Sequence, residues 1–131
     1  MERNEKTRAL LAAFGCTLAY LLAGKALTAV LPQVPEEAAR MRAFVHRCAA
    51  APIVEELVFR GIIQQLARPL GERQAVALQA VLFAVQHRGP AGMAYALVCG
   101  LVLGTIRSRT GSVWPGMLLH TLNNLLVFAA G

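Results

Sequence analysis

The chain has 131 residues, of which 56% are hydrophobic and only 15% charged, with a formal net charge of +6; a soluble domain is about 45–50% apolar with glycine counted and about 25% charged. That composition excludes disorder, and the length allows one domain, residues 1–131, with no room for a second catalytic module. With no Asp and only Ser108 and Ser112 as serines, Asp dyads and a Ser-His-Asp triad are excluded, so hydrolytic chemistry has to use Glu, His, Cys or a metal.

The basic residues sit between apolar runs, where loop charges flank membrane spans, and form no patch for nucleic acid. Cys16, Cys48 and Cys99 are odd in number and lie in or beside apolar runs, which reads as small buried hydrophobes and no disulfide framework. After a short polar start with Arg3, Lys6 and Arg8, residues 9–31 carry one charge, Lys25. At about 1.5 Å per residue this run crosses a hydrocarbon core of about 30 Å. It is read as a retained span over the rival reading of a signal peptide, being too long for an h-region and lacking a small-x-small cleavage site.

Pro32 and Pro35 mark a loop. Residues 38–47 read as an amphipathic, Arg-bearing approach to the membrane, and residues 49–67 as a second apolar segment interrupted by Glu55, Glu56 and Arg60. Pro69-Leu70-Gly71 ends it. Residues 74–87 form a shorter apolar helix, closed by Arg88-Gly89-Pro90. Residues 91–106 hold Gly100 and Gly104 four apart, a spacing that lets helices approach closely in lipid. Residues 113–130 form the last span, with Pro115 tolerated in its first turn. The expected fold is all-α: a polytopic transmembrane bundle of about five helices in a lipid bilayer. Seven loop cations against four put the amino terminus in the cytoplasm.

An ionisable group inside a span is expensive and marks a candidate functional site. Three places qualify. Glu56 and Arg60 are i and i+4 and can pair, whereas Glu55 is rotated about 100° away from that partner and is the candidate base. Phe83 and His87 share a face, one turn apart. His120 and Asn124 are i and i+4, with Asn123 beside them. Plainer readings exist for each: a Glu-Arg pair that locks packing, a histidine closing a helix end, and polar groups bonding between helices. The helix-locking pair leaves the second, adjacent glutamate unexplained. Brought together in a bundle, the three supply a base, a water-orienting group and two oxyanion donors, enough to hydrolyse an amide with activated water.

Glu55-Glu56-x-x-x-Arg60, Phe83-x-x-x-His87 and His120-x-x-x-Asn124, in that order on membrane helices, resemble the signature of the CPBP family. These are CAAX-processing and bacteriocin-processing (ABI) intramembrane endopeptidases with an Rce1-like branch. The resemblance covers about residues 49–128. It implies that Glu55 activates water and His87 helps hold it. His120 and Asn124 would form the oxyanion hole, and Glu56 and Arg60 would support the site. It implies no cofactor; the alternative is a divalent metal such as zinc at Glu55, His87 and His120, a thin shell without a His-Glu-x-x-His motif. The expected partner is a membrane-anchored protein or peptide substrate, in a bacterial inner membrane. A prenylated substrate is not implied by the motifs, and the oligomeric state stays open. The competing readings are a non-enzymatic membrane adaptor or immunity protein on the same scaffold, and a small ion-conducting subunit.

Overall fold

A computed structural model describes residues 2–131, which form five helices joined by short turns, with no strand among the described residues. Helix α1 (Glu2–Val30) is 29 residues long, about 43 Å at 1.5 Å per residue. One face is small: Ala9, Ala13 and Thr17 are buried at four-residue spacing, and the Thr17 hydroxyl donates to the Ala13 carbonyl at 2.9 Å. The opposite face presents Leu11, Phe14, Leu18 and Leu22, each more than half exposed. In the following loop the Pro32 carbonyl accepts from Arg42 Nη1 at 2.9 Å.

Residues 36–66 run as one helix, α2, in which π-helical turns at His46–Ala50 and Glu56–Ile63 alternate with α-helical turns. The sequence reading separated an amphipathic approach (38–47) from an apolar segment (49–67); the structure joins them. No breaker intervenes across Ala49-Ala50-Ala51. Pro52, which cannot donate to the carbonyl four residues back, follows directly on a wider turn that accommodates its ring. The second π turn brings Glu56, Phe59, Arg60 and Ile63 all to the buried side.

Gly71 turns the chain at φ 113, which favours glycine, into α3 (Glu72–Ala84). At this loop Ser108 donates to Glu72, and Arg68 Nε lies 3.3 Å from it. The Ser108 hydroxyl, aided by Arg68, holds the Glu72 carboxyl below the usual carboxylate range. Helix α3 stops three residues short of His87, which the sequence reading took as its last residue. Helix α4 (Gly89–Thr110) ends at Gly111 in the left-handed conformation, and α5 (Trp114–Ala130) closes the chain.

Helices α3 and α4 meet closely. A Cβ at Gly100 would stand 2.9 Å from the Ala80 Cα, and one at Gly104 would collide with the Gln79 amide. The space left by the two glycines admits amides to backbone carbonyls: Gln79 Nε2 donates to Gly100 O at 2.8 Å, and Gln64 Nε2 to Gly104 O at 3.0 Å. The core cluster of Ala13, Phe59, Ile63, Leu82, Phe83, Ala84 and Ala96 draws on α1 to α4. Two helices, α1 and α4, are long and apolar enough to cross a membrane. Buried charge inside and large apolar side chains outside invert the pattern of a soluble protein.

Candidate active site

The second π turn of α2 and the first half of α5 face each other across the bundle. Glu56 and Arg60 pair as the i, i+4 spacing predicts: Arg60 Nη1 lies 3.0 Å from Glu56 Oε1, and both side chains are essentially sealed from solvent. On its other side the Arg60 guanidinium stands over the Phe83 ring, 4.5 Å from its centroid. A wholly buried arginine therefore has a carboxylate and an aromatic face for counterparts.

The same Glu56 oxygen reaches across the bundle to His120 Nδ1 at 3.0 Å. A carboxylate only accepts, so Nδ1 carries the proton and donates. The far edge of the ring then presents Nε2 to Glu55, whose Oε2 lies 3.6 Å away. The two adjacent glutamates thus hold opposite edges of one imidazole. Glu56 is sealed, while Glu55 keeps 17% of its side chain exposed. A direct hydrogen bond does not span 3.6 Å.

Phe83 organises the second histidine. Its ring lies edge-on to both imidazoles, with centroids 4.8 Å from His87 and 5.8 Å from His120. His87 sits in the turn after α3, and its Nδ1 bonds the Phe83 carbonyl at 3.0 Å. This is the helix-closing role expected of a histidine at that position. It also fixes the proton on Nδ1 and leaves Nε2 as an acceptor.

The asparagines are engaged differently. Asn124 Nδ2 donates to the Arg47 carbonyl at 2.8 Å, tying α5 to the first π turn of α2. Asn123 accepts from the Tyr95 hydroxyl and donates to Asn124 Oδ1 at 3.4 Å. The structure therefore brings Glu55, Glu56, Arg60 and His120 into one buried chain, with Phe83 joining it to His87. Asn124 lies one helical turn further along α5, lining a cavity of about 570 Å³ together with His87. Among the described residues no group of three His, Cys, Asp or Glu side chains is arranged to hold a metal ion. Glu55, His87 and His120, the alternative metal ligands, do not form such a group.

Two contributions escaped the sequence reading. A Cβ at Gly116 would stand 2.7 Å from Glu56 Oε2, so the glycine one turn before His120 makes the room in which Glu56 meets the histidine. Its i−4 position relative to His120 was the available signal. Tyr20 of α1 packs edge-on against Phe59, with centroids 5.5 Å apart, and Phe59 in turn against Phe83 at 5.3 Å. Nothing in the α1 sequence marks that tyrosine out.

A family described as type II CAAX prenyl endopeptidase, Rce1-like, matches residues 37–126. No curated protein and no solved structure matches the chain. The matched stretch is well over half of the chain and takes in α2, α3, α4 and most of α5, with every residue of the buried chain inside it; α1 lies outside. The three motifs, the helical membrane fold and this match agree: the chain belongs to the Rce1-like family of type II CAAX prenyl endopeptidases.

Proposed function

We propose that the protein is an intramembrane glutamic endopeptidase that cuts a membrane-associated or C-terminally anchored protein with an activated water and no metal. The observation that carries this reading is the clamped imidazole, with Glu56 on Nδ1 and Glu55 facing Nε2. A water beside Glu55 Oε2 and His120 Nε2 loses a proton to Glu55 as its oxygen attacks the scissile carbonyl. His87 Nε2, an acceptor, orients that water. His120, fixed by Glu56 at Nδ1, turns Nε2 toward the oxyanion, and Asn124 supplies a donor through the amide proton not given to Arg47. The Glu55 carboxyl then protonates the leaving amine, so that water and amide become acid and amine. Arg60 pairs with Glu56 and contacts no reacting atom. Loop charge supports an amino terminus in the cytoplasm; the membrane we assign is a bacterial inner membrane.

The test compares membrane-protein termini in cells carrying wild type, Glu55→Gln, His87→Ala and His120→Ala. New termini are expected only with wild type. Loss of a general base lowers the rate by about 10²–10⁴-fold, and chelators should leave the wild-type rate unchanged. Cleavage at the wild-type rate by Glu55→Gln would sink the mechanism. An unchanged cellular phenotype with that variant would favour a non-enzymatic adaptor.

A further inference from the structure

Asn124 is held by a chain of side chains that begins on another helix. Tyr95, in the second turn of α4, donates its hydroxyl to Asn123 Oδ1. Asn123 Nδ2 donates to Asn124 Oδ1 at 3.4 Å, and Asn124 Nδ2 donates to the Arg47 carbonyl at 2.8 Å. The Arg47 carbonyl can only accept, and this sets the direction of every link. Asn124 has to turn Nδ2 toward it, which turns Oδ1 toward Asn123. Asn123 answers with its own Nδ2, which leaves its oxygen in need of a donor. The Tyr95 phenol is that donor. An amide held at one atom swings about that single hydrogen bond. Held at Oδ1 as well, its plane is fixed, and with it the direction of the second Nδ2 proton. Asn124 lines the cavity together with His87, and that second proton is the one the proposed reaction uses.

We propose that Tyr95 is a positioning residue: acting through Asn123, it fixes the amide plane of Asn124 and so aims the donor that meets the oxyanion. The proposal rests on the protease reading above and brings a residue of α4 into the control of that site. Tyr95 contacts no reacting atom. Without its hydroxyl the Asn123 oxygen has no donor, the Asn123 amide turns to other partners, and Asn124 keeps only its bond to Arg47. Removing an oxyanion donor outright lowers kcat by about 10²–10³-fold. Here the donor is misdirected and still present, so the loss is smaller, about tenfold. Tyr95 is half exposed and stands outside the core cluster, so taking away its hydroxyl disturbs little packing.

The test uses the full-length protein in phosphatidylcholine nanodiscs. The chain has three asparagines, Asn4, Asn123 and Asn124, so labelling asparagine at its side-chain nitrogen gives an amide spectrum with few signals and Asn4 as internal reference. Tyr95→Phe keeps the ring and removes the hydroxyl. It should shift the amide signals of Asn123 and Asn124 and leave those of Asn4 in place. Cleavage is read on a membrane-anchored, quenched-fluorescent peptide, the best-cleaved member of a randomised library. Tyr95→Phe should lower kcat by about tenfold with KM unchanged. Asn123→Leu, similar in shape and without a proton to give, should match it. In an Asn124→Ala background, adding Tyr95→Phe should cause no further loss, whereas a packing role for the tyrosine would persist there.

Unmoved Asn124 signals in Tyr95→Phe would overturn the proposal and leave the protease reading intact. An equal loss from Tyr95→Phe in the native chain and in Asn124→Ala would overturn it as well, since the phenol would then act through packing. So would shifted Asn124 signals accompanied by a wild-type kcat. Shifted Asn124 signals in a protein whose wild type cuts no peptide of the library would support the positioning and count against the protease reading.

Discussion

Glu55 and Glu56 are neighbours with opposite surroundings, and their substitution should separate stability from activity. Glu56 shares one oxygen between the buried Arg60 and His120, so Glu56→Ala leaves the arginine buried without a counter-charge. Breaking a buried pair in this way costs about 3–5 kcal/mol. We expect Glu56→Ala to lower the unfolding midpoint in a denaturant titration in micelles and to reduce helical signal at low denaturant. Glu55 makes no ion pair with Arg60 and keeps part of its carboxylate exposed, so Glu55→Gln, which strands no buried charge, should lower stability by clearly less than Glu56→Ala. Equal destabilisation by the two substitutions would show that Glu55 also belongs to the structural lock. The Glu56–Arg60 pair was legible because it depends only on helical periodicity. The insertion of His120 between the two glutamates was not, since it joins residues 64 apart in sequence and depends on how α5 crosses α2.

Element boundaries and element contacts were legible to different degrees, and the glycines show why. Gly100 and Gly104 announced a close helix approach by their spacing, and α4 meets α3 there. What the spacing could not say is that the approach exposes carbonyls to Gln79 and Gln64, because those amides come from two other helices. The join across α2 was not legible because the pattern changes from amphipathic to apolar at residue 48, and a change of pattern without a breaker does not end a helix. Gly116 is the element-scale feature with the clearest consequence. In Gly116→Ala the new methyl would sit 2.7 Å from Glu56 Oε2, so the carboxylate must move and its bond to His120 lengthens. The substitution changes α5 in the direction of higher helix propensity. Helical content should therefore be retained while cleavage falls by about tenfold or more, of the order expected when a positioned group loses its orientation. Wild-type cleavage by Gly116→Ala would mean that the Glu56–His120 contact is dispensable for the reaction.

The whole molecule divides into a family core and a leading helix that packs on its side. The matched region begins at residue 37, yet α1 covers the core through Ala9, Ala13, Thr17 and the Tyr20 ring on Phe59. With the hydrophobic effect absent between helices in lipid, such an interface depends on close van der Waals packing of small residues. Ala13 is fully buried in the core cluster. The connection from α1 to α2 is a short non-helical loop that is mostly exposed, so covalent continuity there contributes little beyond a high local concentration. We therefore expect two fragments, residues 1–33 and 34–131, to reassemble when co-expressed in one membrane and to recover cleavage. The second fragment alone should lose activity and unfold at lower denaturant, because Phe59 and Ile63 lose the cover of α1. Ala13→Leu in the first fragment should block the rescue by overpacking the contact, a change that costs about 1–3 kcal/mol in a close-packed interior. Co-purification of the fragments through a tag on one of them reads assembly independently of activity. Full cleavage by residues 34–131 alone would show that the family core is self-sufficient and that α1 is an anchor with no part in holding the site.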